Sequence, residues 1–299
     1  MAPTLHIPVL SNVILRLLDP RPGQVIVDGT VGAGGHTRLL AEKVAPTGRV
    51  IGLDQDPTML DLARPRLAGL PVTLVHRNFE DLPCVLQELQ LGPVDAILAD
   101  LGFCSDQLAN PERGLSFQHD GQLDMRLDTT RGEPASALVR RLREQELADI
   151  FWQYGEERHS RRIARKIVEA RQTTPLATTG QLAELIRSCV PRSKGHAIDP
   201  ATRVFQALRI AVNDELGALE RFLVQLPKCL KPGGRAAVIS FHSLEDRLVK
   251  RAFRQPELWE QLTRKPVTAD DAECRENPRA RSAKLRVAMK KVSTGGEDT

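Results

Sequence analysis

Three acids and a run of glycines carry the chemistry that this sequence offers. Asp28 opens Asp-Gly-Thr-Val-Gly-Ala-Gly-Gly-His36, with glycines at 29, 32, 34 and 35. Residues without a Cβ let the backbone close on a ligand, and a helix starting just after them offers free N–H groups. Asp54 follows about 20 residues past this turn, the spacing at which nucleotide-binding folds set an acid against a ribose hydroxyl pair. Asp100 ends the apolar run Val94-Asp-Ala-Ile-Leu-Ala and leads into Leu-Gly-Phe103. Phe79 stands at the tip of a further run and reads either as a cover for an adenine ring or as a core aromatic. This is the chemistry of holding a nucleoside cofactor. The glycine spacing is not the dinucleotide G-x-G-x-x-G, which argues against a nicotinamide-dependent dehydrogenase.

These residues need strands that end where they stand. Val25-Ile-Val27, Arg49-Val-Ile-Gly-Leu53, Val72-Thr-Leu-Val-His76 and the run at 94–100 are short, apolar and rich in β-branched residues, so they read as buried strands. Helical periodicity lies between them, in Leu39, Leu40 and Val44 and over residues 58–67 and 82–89. Four β-α repeats predict a parallel sheet with its ligand crevice at the carboxyl ends of the strands. Asp28, Asp54, Phe79 and Asp100 all map to that edge. An amphipathic helix at 13–18 precedes the first strand and stops at Pro20 and Pro22-Gly23.

The alternation then breaks. Residues 110–128 read as an ordered, charge-rich loop, and such loops beside a crevice carry function. Helical spacing without strands follows, with Gly155 as a C-cap and a capping box from Thr178 to Gln181. The chain therefore reads as an α/β domain over 1–106 and 207–299 with an inserted loop-plus-helical domain over 107–206. Phe205, Leu208, Val212, Leu216, Leu219 and Leu223 predict one long helix over 204–226. After it come a break at Leu230-Lys-Pro-Gly-Gly, a fifth strand at 236–242, a helix at 243–253 and a short turn at 257–262. A last strand follows the arginine-rich Asn277-Pro-Arg-Ala-Arg-Ser282, and the polar tail at 293–299 reads as frayed.

With 299 residues, 41% hydrophobic and 27% charged, the composition is that of a globular protein. No apolar run reaches the roughly 18 residues of a membrane span, and residues 1–8 lack a basic-then-apolar leader, so the expectation is a cytoplasmic protein without membrane contact. Cysteines at 84, 104, 189, 229 and 274 form no C-x-x-C pair, which argues against a disulfide scaffold and a zinc site; no metal is expected. The net charge is only +4, but arginines crowd residues 158–171 and 275–286. Arg158, Arg161, Arg162 and Arg165, with His159 and Lys166, read equally as a solvated helix face or as a surface that tracks phosphates.

The glycine motif, the acid of the second strand and the Leu-Lys-Pro-Gly-Gly turn resemble a class I S-adenosylmethionine-dependent methyltransferase, a Rossmann-like fold. Five further blocks narrow the resemblance: His6-Ile-Pro-Val-Leu10; Asp100-Leu-Gly to Gln107-Leu108; Arg113-Gly-Leu-Ser-Phe117 with Leu123-Asp-Met-Arg126; Arg203-Val-Phe-Gln-Ala-Leu-Arg-Ile-Ala-Val-Asn-Asp-Glu-Leu216; and Ile239-Ser-Phe-His-Ser-Leu-Glu-Asp-Arg247. Together these are similar to the RsmH (MraW) family, from His6 to about Arg286. Asn12, Cys104, Asn110 and Gln122 depart from the family pattern, which bears on loop geometry more than on chemistry.

The resemblance implies methylation of N4 of a cytidine in the decoding centre of 16S ribosomal RNA, within the small subunit or a late assembly intermediate, by a monomer or homodimer. It places cofactor contacts at Gly34, Gly35, His36, Asp54, Phe79, Asp100 and Gln107; His36 and Gln107 rest on the resemblance alone. Asp100 would orient the exocyclic amine for direct transfer, and Phe103 would stack on the base. Arg113, Arg126, Arg203, Arg209 and His242 are the RNA-side candidates, with structural ion pairing as the competing reading. Two other functions stay open: a C5-cytosine methyltransferase using Cys104 as nucleophile, and a non-catalytic RNA-binding factor in ribosome assembly.

Overall fold

The computed structural model describes residues 8–190 and 199–292. His6 and Ile7 of the first family block, and the tail expected to fray, lie outside these residues.

Among the described residues seven strands form one sheet: β1 (Val25–Asp28), β2 (Arg49–Asp54), β3 (Val72–His76), β4 (Val94–Asp100), β5 (Leu230–Ser240), β6 (Trp259–Gln261) and β7 (Lys284–Lys290). Their order is β3-β2-β1-β4-β5-β7-β6, with β1 to β5 parallel and β7 antiparallel to both neighbours. The order reverses between β1 and β4, so the crevice of such a sheet opens at the ends of these two strands. Asp28 and Asp100 are the terminal residues there. This is the mostly parallel, Rossmann-like sheet that the sequence predicts.

Both faces of the sheet are covered, which explains why its strands read as unbroken apolar runs. Ile97 and Ala99 of β4 face one cluster with α4 (Leu82–Glu88), α11 (Glu215–Cys229) and α12 (Ser243–Phe253). Ala96 and Leu98 face the other, with α1 (Ser11–Leu18) and α2 (Gly35–Val44). The period-two alternation of a strand thus assigns successive β4 side chains to opposite layers. The helix α3 (Pro57–Arg66) is N-capped by Asp56, whose carboxylate accepts from Thr58 N at 3.0 Å.

The chain divides into two compact units, one up to Phe103 with Leu216 onward, the other Cys104–Glu215. The second holds α5 (Ser105–Ala109), α6 (Ala135–Arg141), α7 (Glu144–Gln153), α8 (Ser160–Ala170), α9 (Thr179–Cys189) and α10 (Pro200–Asn213). The predicted capping box is present: Thr178 Oγ1 accepts from Gln181 N at 3.3 Å, and Gln181 Oε1 accepts from Thr178 N at 3.1 Å. Ile163, Ala164 and Ile167 of α8 are buried, while Arg161, Arg162, Arg165 and Lys166 are exposed on its other face.

Four local expectations need correction. The single helix over 204–226 is two helices, because Asp214 takes a left-handed conformation (φ 48, ψ 39) between α10 and α11. Asp tolerates this conformation, and Asn213 anchors the helix end by donating to Met125 O at 2.8 Å and accepting from Leu127 N at 2.7 Å. The turn at 257–262 contains the edge strand β6, which pairs with β7. Lys231-Pro-Gly-Gly lies within β5 instead of before it; Gly233 has φ +79, and the register against β4 shifts between Val94 and Ala96. At the α7 terminus the left-handed residue is Glu156, whereas Gly155 is needed for space: a Cβ there would stand 2.5 Å from Arg203 O on α10.

Candidate active site

The turn after β1 is tied down by its first acid. Asp28 is fully buried and accepts from Thr37 Oγ1 at 2.7 Å and Thr30 N at 3.1 Å, joining the strand end to the first turn of α2. Gly34 caps α2 with φ +90 and offers no side chain to its leading N–H groups. Gly32 has φ +52, and a Cβ placed on it would enter open space. A glycine whose missing Cβ leaves a hollow beside an uncapped helix N-terminus is a cradle for a polar ligand.

Asp54 has a second task that the sequence did not disclose. Its Oδ2 accepts from Gly32 N at 2.7 Å and its Oδ1 from Asp56 N at 2.9 Å, so it also shapes the glycine turn. Burial pushes its carboxyl up to about 7; the two N–H donors work against that, and Asp56 and Asp28 add to it. Each carboxylate oxygen keeps a second lone pair for a ribose hydroxyl. Phe79 is half-buried and meets Phe222 edge-on, with ring centroids 5.0 Å apart, so one side of it serves the core.

Asp100 is anchored at its backbone, where its N–H donates to Thr30 Oγ1 at 2.6 Å. Oδ2 stands 3.7 Å from Nε2 of the buried His36, and Oδ1 is buried with no hydrogen-bond partner among the described residues. Burial raises this carboxyl to about 7; Arg279 opposes the rise, while Asp28 and Glu245 reinforce it. A buried acceptor left unmatched costs about 1–3 kcal/mol, and such groups mark places where a ligand supplies the partner. The glycine turn, the Asp54 carboxylate and this oxygen are of the chemistry that the polar and cationic groups of S-adenosylmethionine require.

The remaining predicted residues belong to the other unit or to the border of the sheet. Gln107 Oε1 accepts from Cys104 N at 2.8 Å, and the Cys104 sulfur caps the first turn of α5. Cys104 is buried at the start of that helix. Arg113 is buried and donates to the carbonyls of Arg126 at 3.0 Å and Leu127 at 2.8 Å. Arg126 forks onto Asp124 with two bonds of 2.8 Å, and Arg209 forks onto Glu215 at 2.7 and 2.8 Å. His242 N-caps α12 and its Nε2 lies 3.2 Å from Glu245 Oε1. Arg203 is exposed. Four of the RNA-side candidates, Arg113, Arg126, Arg209 and His242, thus have partners within the protein, as the competing reading of structural pairing expects. Sequence reasoning passed over Arg279, whose only signal was its place in an arginine-rich run.

A profile of the MraW methylase family matches residues 3–291. Ribosomal RNA small subunit methyltransferase H of Sorangium cellulosum is 52% identical over 287 residues, covering 95% of this chain and 90% of that protein. The protein of the same name from Trichormus variabilis is 51% identical over 296 residues, with 98% and 94% covered. That of Rhodopirellula baltica is 48% identical over 300 residues, with 97% and 92% covered. Among solved structures, an rRNA methylase from Streptococcus thermophilus is a distant likeness, 11% identical with a TM-score of 0.44 over 94% of each chain. With a profile match along almost its whole length and relatives at half identity, this chain belongs to the MraW methylase family.

Proposed function

We propose that this protein transfers a methyl group from S-adenosylmethionine to N4 of a cytidine in the decoding centre of 16S ribosomal RNA, acting in the cytoplasm on the small subunit or a late assembly intermediate. The observation that carries the reading is Asp100: a buried carboxylate with an unmatched oxygen at the tip of β4, beside a glycine cradle, in a methylase. The relatives' name supports ribosomal RNA of the small subunit as the substrate.

Gly32, Gly34 and the N-terminus of α2 would hold the donor's polar atoms, and Asp54 its ribose hydroxyls. S-adenosylmethionine, when bound, supplies an electrophilic methyl on sulfur. The cytosine N4 lone pair is delocalised into the ring, so N4 attacks well only when an acceptor holds one of its hydrogens and draws it out of plane. Asp100 would be that acceptor. Transfer of the methyl from sulfur, which would leave a neutral thioether, would place positive charge on N4; the Asp100 carboxylate would balance that charge and take up the surplus N4 proton. A carboxyl near 7 is matched to taking a proton at neutral pH.

Asp54 gives this reading a pH signature. Hydroxyl donors require the ionised carboxylate, so binding of S-adenosylhomocysteine should release a proton below about pH 7. Affinity should climb between about pH 5.5 and 7.5 and then level off, and Asp54→Asn should flatten the profile. Calorimetry in buffers of different ionisation enthalpy reads both effects.

The unit Cys104–Glu215 is the proposed RNA-facing lobe. Arg158, Arg161 and Arg162 are exposed, and Trp152 is 60% exposed. Arg165 of α8 pairs with Glu144 of α7 at 3.5 Å. Replacing the three arginines with Gln should reduce the slope of log affinity against log salt by about 2, at roughly 0.7 per lost phosphate contact. Trp152→Ala should weaken binding by about 1–3 kcal/mol without altering that slope, as loss of base stacking does. Filter binding across a salt series separates the two.

The deciding experiment is mass spectrometry of nucleosides from small-subunit RNA of cells with and without the protein. Loss of N4-methylcytidine supports the proposal. Loss of a C5-methylated nucleoside, or of none, overturns it.

A further inference from the structure

The arginine-rich segment before β7 has no part in the chemistry above, and its geometry gives it one. Arg279 lies in the short turn Pro278–Ser282, with its guanidinium carbon 5.9 Å from the ring centroid of Phe103 and 5.8 Å from that of Phe241. Phe103 sits three residues past Asp100 on the loop leaving β4, and Phe241 immediately follows β5. Those strands are neighbours, with Asp100 in register with Ile239. One cation therefore lies over aromatic rings from two adjacent strand ends. Between them the β4 loop runs close: Gly102 has φ +93, and a Cβ on it would stand 3.6 Å from the Phe241 ring.

We infer that Arg279 is a positioning residue for methyl transfer: it braces the Asp100-Leu-Gly-Phe103 loop by lying over Phe103 and Phe241, and supplies the positive charge that faces the Asp100 carboxylate. The inference rests on the proposed role of Asp100 at the reacting amine. Two acids act on that carboxylate, Asp28 from β1 and Glu245 from α12, and His36 of α2 stands 3.7 Å away. Arg279 opposes the rise that burial and these acids cause and favours the ionised form. Without Arg279 the two acids would act unopposed, Asp100 would take up a proton at higher pH, and the Phe103 ring would lose its support. An arginine suits both tasks, because its guanidinium is planar, stacks on aromatic faces and stays charged throughout the working range.

The test uses the full-length protein with R279M and R279K. In R279M, the carboxyl carbon of Asp100, followed by NMR in ligand-free protein, should titrate about one pH unit higher, as loss of a nearby opposite charge predicts. The acid limb of kcat/KM for RNA methylation should move with it, so that activity lost at pH 7 returns near pH 8.5. R279K keeps the charge and loses the planar contact, so its limb should stay in place while kcat falls. Thermal midpoints check folding; if R279M does not fold, the titration is read on R279Q. An unmoved Asp100 titration in a folded, uncharged variant overturns the inference, as does an acid limb in R279K that shifts as far as in R279M. Asp100→Asn tests the underlying reading separately: retained methyl transfer would sink that reading whatever Arg279 does.

Discussion

Asp100→Asn is expected to lower the single-turnover methylation rate by about 10³-fold or more while making the ligand-free protein more heat-stable. Removing an electrostatic or proton-accepting group aimed at the reacting atom costs about 10²–10⁴-fold in rate. The stability gain comes from the same carboxylate. Its folded-state value of about 7 stands above the usual carboxylate range, so the folded protein binds this proton more tightly than the unfolded chain does. Stability from this group is therefore full below about pH 4, falls as pH rises toward 7, and stays low above that. At pH 8 the ionised, buried Asp100 costs as much as about 4 kcal/mol, and Asn removes that cost. A midpoint about 5 °C higher at pH 8, with the difference vanishing near pH 4, is the expected scan. Asn keeps the shape of the side chain, so affinity for S-adenosylhomocysteine should change little. If that affinity collapses while the single-turnover rate survives, Asp100 is a cofactor contact and no more.

Asp28, Asp54 and Asp100 share this sign, each raised by burial. A fold that keeps three acids at one sheet edge loses stability there and gains a site in which a cationic donor is welcome. On the proposed reading, the sulfonium of a bound donor would restore part of the charge balance, so ligand-free protein should be least stable relative to loaded protein above about pH 7.

The strands that build this edge were legible because their burial is two-sided. The run at 94–100 is bounded by Pro93 and ends in Asp100, and no helix pattern competes with it. The helix Ser243–Phe253 and the Thr178 capping box were legible for a related reason: their signals sit within one turn of chain. What failed needed a distant partner. β6 is three residues long and exists only by pairing with β7. The break at Asp214 leaves the apolar stripe Phe205 to Leu223 in phase, so periodicity does not register it. For Arg113 the sequence leaves RNA contact and structural pairing open, because an arginine in a polar loop has no visible partner; its guanidinium holds the carbonyls of Arg126 and Leu127. The unmatched oxygen of Asp100 and the two rings under Arg279 are likewise properties of juxtaposed chain segments.

That dependence on close chain crossings leads to the second large effect. Gly121→Ala is expected to abolish RNA methylation by disordering the loop at 110–128 while leaving cofactor binding intact. A Cβ on Gly121 would collide with the Pro111 carbonyl oxygen and stand 2.7 Å from its carbon. Retreat is blocked on the other side, where Gly121 N donates to Thr179 Oγ1 at 3.1 Å and Gly121 O accepts from Thr179 N at 2.9 Å. The methyl therefore either breaks the tie to the start of α9 or pushes Pro111 away; overpacking of this kind costs about 1–3 kcal/mol. The Arg113 and Asn213 bonds to the same loop would loosen with it. Limited proteolysis should cut the variant within 110–128, methyl transfer to small-subunit RNA should fall at least about 100-fold, and affinity for S-adenosylhomocysteine should stay within about threefold, because the sheet carries its own core. Gly92→Ala is the control, since a Cβ there meets nothing within 4 Å. A Gly121→Ala protein that resists the protease and methylates at the parent rate would remove this loop from the RNA-facing surface.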